Sequence, residues 1–169
     1  MQSESARMSS GAEARFRIDA PNSTPRRIKV IALDRVSEAL ITSLARRPWN
    51  NASFLTASAF AATPPQPGAG VQGLLADVAG KALDLIDEIA GADLVVMVAA
   101  PGENASAAAL IGEACSLRRV TTTGLILGRR SATDDMLSRA LAQLRPWSLM
   151  LVIAEGDDYV EDMLRALRA

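Results

Sequence analysis

Apolar runs alternate with amphipathic segments along most of the chain. Ile28-Lys29-Val30-Ile31-Ala32-Leu33 is a short apolar run stopped by Asp34, and Val36, Ala39, Leu40 and Leu44 follow at helical spacing, which predicts a strand and then a helix. Ser53 to Ala57 reads as a second strand, and the Ala-Thr-Pro-Pro-Gln-Pro-Gly-Ala-Gly run over residues 62–70 as a loop. From Val71, the positions Leu74, Leu75, Val78, Ala82, Leu85, Ile86 and Ile89 mark one face of an expected helix of about five turns, closed at Gly91. Leu94 to Ala99 is apolar without alternation, the pattern of a central parallel strand covered on both faces. An Ala-rich helix is expected from Asn104 to Leu117, with Leu110, Ile111 and Ala114 facing inward, followed by a strand from Thr121 to Leu127. Met136, Leu137, Ala140, Leu141 and Leu144 predict another amphipathic helix, Leu149 to Ile153 another strand, and Tyr159 to Leu167 a closing helix.

This order predicts an α/β protein with a three-layer Rossmann-like fold: a mainly parallel sheet of about five strands with helices on both faces. One domain is expected over residues 27–169, after a polar tail over residues 1–26 whose low hydrophobicity predicts disorder. Composition agrees. Aromatics make up only 4% of the chain, so aliphatic side chains must fill the core, which suits helices packed on a sheet.

Charge and residue inventory narrow the chemistry. The net charge of −1, with both signs scattered, gives no footprint for nucleic acid or anionic lipid. There is no histidine, so imidazole acid–base catalysis is excluded, and Ser106 and Cys115 both lack the usual base for a nucleophile. Cys115 is the single cysteine, so it reads as a buried structural thiol, and no metal is expected. No stretch of residues 1–27 reads as a signal peptide or membrane span, which gives a cytoplasmic expectation.

In open α/β sheets a ligand sits beyond the carboxyl ends of the strands, where helix N-termini present free N–H groups. The loops there are Leu33 to Ser37, Ala100 to Ser106, and Ile153 to Asp158, and they nominate Asp34, Gly102, Glu103, Asn104 and Ser106 as ligand-binding residues. Each has a plainer reading. An acidic residue directly before a helix is ordinarily an N-cap, which is the favoured reading of Asp34, capping is likewise favoured for Glu103, Asn104 and Ser106, and Gly102 reads equally as the glycine of a tight turn. Arg118-Arg119 and Arg129-Arg130 read as anion contacts or solvated pairs, Asp134-Asp135 and Asp157-Asp158 as complements to helix dipoles, and Trp49 and Trp147 as partial core or an exposed patch.

Arg27 to Ile31, Ile89 to Ala100, Val120 to Leu127, and Ala142 to Ile153 together resemble, in order, the GTP-binding half of the tubulin and bacterial cell-division GTPase (FtsZ) family. The similarity covers most of residues 28–155. The resemblance implies a nucleotide-binding fold with GTP or another nucleotide as its ligand class. Yet Asp34-Arg35-Val36-Ser37-Glu38 stands where the family has its first glycine-rich loop, and Pro101 to Ala107 where it has its long Gly/Thr signature. The resemblance also ends before the family's catalytic acidic loop and second domain, so GTP hydrolysis is not expected. Side chains obstruct the close backbone approach that phosphates need. Asp34 and Glu103 add charge of the wrong sign, at roughly 4 kcal/mol for each like-charge pair ~4 Å apart at an effective dielectric of ~20. The sequence therefore points to a non-catalytic or weakly ligand-binding module of regulation or protein–protein interaction, with a protein partner or self-association. The alternative is a small nucleotide- or dinucleotide-binding protein with an atypical phosphate loop.

Overall fold

A computed structural model describes residues 26–62, 75–128, 132–167 and 169. The tail, the Pro-rich loop, Val71, Leu74 and the Arg129-Arg130 pair lie outside the described residues, apart from Arg26, the last residue of the expected tail, and Ala62, the first of that loop. Strands β1 (Ile28–Ala32), β2 (Ala52–Thr56), β5 (Leu94–Ala99), β6 (Thr121–Leu127) and β7 (Met150–Ala154) form the parallel part of the sheet. Its spatial order is β2-β1-β5-β6-β7, a doubly wound arrangement, and β3 (Leu75–Asp77) and β4 (Ala82–Leu83) extend it antiparallel beyond β2. The helices are α1 (Arg35–Ala45), α2 (Ser58–Ala62), α3 (Leu85–Ala90), α4 (Ala107–Arg118), α5 (Asp134–Leu144) and α6 (Asp157–Ala166), with a 3₁₀ turn at Arg145–Trp147.

The pleat sorts side chains to two cores. Ile28, Val30 and Ala32 of β1, with Leu94, Val96 and Val98 of β5, pack under α1 and α6 through Ile41, Leu44, Val160 and Leu164. Ile31 of β1, with Val95, Met97 and Ala99, packs under α3, α4 and α5 through Leu85, Ile89, Ile111 and Leu144. Every residue of β5 is buried, as its unbroken apolar run requires of the middle strand. Lys29, between Ile28 and Val30, falls on the same face as Ile31 and is tolerated there because its Nζ meets Glu88 of α3 at 2.7 Å. Arg27 and Asp93 pin the start of β1 to the turn before β5, and the Arg27 hydrogen bond holds the Asp93 carboxyl below the ordinary carboxylate range.

The long helix expected from Val71 to Ile89 is not formed; its described part is a hairpin followed by the short α3. Local polar chemistry overrides the apolar spacing. The Asp77 carboxylate accepts from the N–H groups of Ala79 and Lys81 at 2.9 and 2.8 Å, and the Gly80 N–H closes on the Asp77 carbonyl, which together make a turn in place of a helical one. Asp84 then accepts from Ile86 and Asp87 and starts α3 afresh. The other predicted elements form in order, with boundaries moved by at most three residues, and the short helix α2 and the 3₁₀ turn stand where no element was predicted.

Both tryptophans are partial core. Trp49 donates to the Leu44 carbonyl at 2.8 Å and lies against Phe54, and Trp147 packs on α4 at Gly112. A Cβ at Gly112 would stand 2.5 Å from the Trp147 Cβ. Helix propensity alone would make Gly112→Ala stabilising by about 1 kcal/mol, whereas overpacking costs about 1–3 kcal/mol. The contact is backbone-proximal on both sides and cannot relax cheaply, so Gly112→Ala is expected to lower the urea midpoint.

Candidate functional site

The chain leaves β1 toward one face of the sheet and β5 toward the other, so the crevice of a doubly wound sheet opens between these two neighbours. Asp34 stands in it. Its residue is 2% exposed, and it begins α1 in an extended conformation suited to an N-cap. Oδ1 accepts from the Ser37 N–H at 2.8 Å, and Oδ2 accepts from the Ala100 N–H, across the crevice, at 2.8 Å. Ser37, fully buried, completes a reciprocal cap: its Oγ accepts from the Asp34 N–H and donates to the Asp34 carbonyl. The helix N-terminus that would hold a phosphate thus holds a carboxylate of the chain itself, bonded to donors from both loops.

The second loop is built for a turn. Ala100-Pro101-Gly102-Glu103 is closed by the Glu103 N–H on the Ala100 carbonyl, with Pro at the second position and Gly102 at φ +86° in the third, as a type II turn requires. The N–H groups just before α4 are satisfied by side chains. The Ala105 N–H donates to Gln143 Oε1 of α5 at 3.0 Å, and the Ser106 N–H to Asn104 Oδ1 at 3.0 Å. Ser106 occupies the cap position, yet it is exposed and its side chain makes no cap bond, so the capping expected of it is not formed.

The five residues nominated from sequence all lie at the carboxyl ends of β1 and β5 but do not make one pocket. Gly102, Glu103 and Asn104 line a 240 Å³ cleft against Met136, Arg139 and Gln143 of α5. Asp34 is buried apart from it, and Ser106 is not in its lining. Sequence reasoning missed Gln143. Its signal was a polar residue seven positions from Met136 on the same stripe of α5, a break in an otherwise apolar face. Within the cleft the cation is already used, since Arg139 is paired with Asp135 one turn earlier.

The Cys115 thiol is buried in the core under α4, where burial pushes its pKa up to about 12, so the thiolate that a nucleophile needs is absent at neutral pH. Asp134-Asp135 and Asp157-Asp158 sit in the first turns of α5 and α6, where they complement the helix dipoles. Among the described residues no group of three or more His, Cys, Asp or Glu is placed to hold a metal ion, and no helix is long and apolar enough to cross a membrane.

Two measurements follow. Asp34→Ala removes the cap and leaves the Ala100 N–H buried without an acceptor, so it is expected to cost about 2–4 kcal/mol in urea denaturation, with Asp34→Asn costing less because it keeps one acceptor. Cys115 is expected to react with a thiol reagent only when the protein is unfolded; rapid labelling of the native protein would contradict its place in the core. No protein-family model matches the chain, and no curated protein is similar to it.

Proposed function

We propose that this protein is a tubulin/FtsZ-like module that works without nucleotide hydrolysis, in regulation or protein–protein interaction. What carries the reading is the Asp34 carboxylate, seated between the Ser37 and Ala100 N–H groups where a nucleotide phosphate would need the same donors. A phosphate entering that crevice would have to displace a fully bonded buried anion, or sit beside it at a cost of roughly 4 kcal/mol per like-charge pair. The framework that positions the crevice is kept while the crevice itself is filled, which leaves the outer surfaces of the domain to do the work. Fold alone does not favour this reading over others; the occupied crevice is what supports it.

A second reading, a small nucleotide- or dinucleotide-binding protein with an atypical phosphate loop, has the 240 Å³ cleft at Gly102, Glu103 and Asn104 in its favour. Its volume is below the range of about 300–1,000 Å³ usual for small-molecule sites. Two of its polar side chains, Arg139 and Gln143, are also committed to Asp135 and to the Ala105 N–H.

Thermal unfolding with GTP, GDP, ATP, NAD and S-adenosylmethionine, each with and without Mg²⁺, separates the two readings. The expected result is an unchanged Tm throughout. Saturable stabilisation approaching about 2.7 kcal/mol at a hundredfold excess over Kd, abolished by Gly102→Val, would establish the second reading instead.

A further inference from the structure

The two edges of the sheet are finished differently. On one side β4 is only two residues long and is bracketed by Lys81 and Asp84, a short polar edge of the kind that discourages pairing. On the other side β7 is five residues long, pairs only with β6, and carries no charged residue anywhere from Pro146 to Ala154. Leu149, Met150 and Ile153 there are 83%, 47% and 44% exposed. Leu149 donates its N–H inward to the Thr122 carbonyl at 3.0 Å, so the alternation of a parallel ladder turns the N–H and C=O groups of Met150 and Val152 outward. None of the usual protections of an edge, a lysine, a proline or a covering helix, is present on this strand among the described residues.

Charge says what covers it. At the amino end of β7 stand Arg145, just before the strand, and Arg119, which lines a 510 Å³ hollow with Trp147, Ser148 and Leu149. At its carboxyl end stand Glu155, Asp157 and Asp158. All five side chains are exposed and have no ion-pair partner among the described residues. A parallel neighbour would set like charges together. An antiparallel copy of the same strand sets the basic end of each against the acidic end of the other, twice, about a two-fold axis.

Building on the reading of the chain as an interaction module, we propose that β7 is a dimer edge. Two copies pair β7 antiparallel, Met150 and Val152 exchange backbone hydrogen bonds with the second copy, and Leu149, Met150 and Ile153 are covered. The sheet then continues across the axis. Arg119 and Arg145 of each copy face Glu155, Asp157 and Asp158 of the other, so association weakens as salt rises.

Sedimentation equilibrium of the described fold with its tail intact, at low and high salt, tests this with Met150→Lys and Val152→Pro. Lysine places a charge on the exposed edge, and proline removes an outward N–H without touching the β6 ladder. The expected result is a dimer at low salt whose Kd rises with salt, and variants of unchanged circular dichroism whose Kd is raised by about tenfold or more. A wild-type monomer throughout the micromolar range, or a folded Met150→Lys protein that dimerises as well as wild type, overturns the proposal. A monomer whose Tm ignores nucleotides sinks the dimer edge alone, whereas a dimer that binds nucleotide saturably sinks only the reading of the filled crevice.

Discussion

One buried carboxylate joins the two loops on which this sheet turns. Where β1 and β5 send their chains to opposite faces, the backbone has N–H groups to spare on both sides, and a sheet of this order ordinarily leaves them for a ligand. Asp34 takes one from each loop and is itself held by Ser37. A buried charge is costly when isolated, but here it is offset by two backbone donors and by the positive end of the α1 dipole. The same contacts that stabilise the crest occupy the Ser37 and Ala100 N–H groups. On the reading proposed above, stability and the want of a phosphate site are one arrangement seen from two sides.

Most of the architecture was legible in the sequence because parallel strands and amphipathic helices write strong patterns. Leu94 to Ala99 could be little else than a middle strand, and it is buried throughout. The strand at Thr121–Leu127 lies where its β-prone run stands. The failure came where a short-range polar interaction beat periodicity: Asp77 and Asp84, both carboxylates bonding nearby N–H groups, broke a stretch whose apolar residues are spaced as if helical. A hydrophobic period reports which face would be buried if a helix formed, and it is silent about a side chain that offers the backbone a better acceptor.

The candidate site was half legible for a related reason. Asp34 before a helix and Gly102 after a buried strand are local signals, and both residues sit at the crest as their positions suggested. That the second oxygen of Asp34 reaches Ala100, sixty-six residues away, depends on which strands become neighbours, and nothing local encodes it. The same holds for Gln143, which serves α4 from another helix. Away from the crest, the domain offers an uncharged edge strand with basic residues near one end and acidic residues at the other.

Backbone amide resonances of Ser37 and Ala100 report on the crest without any substitution. With Asp34 in place, both N–H groups are expected to exchange slowly with solvent deuterium, and neither their shifts nor their exchange rates should change when Mg²⁺ and GTP are added in large excess. Fast exchange at Ala100 in the free protein, or a saturable shift of both resonances on adding the nucleotide, would mean that the crevice is open and that the carboxylate yields to phosphate.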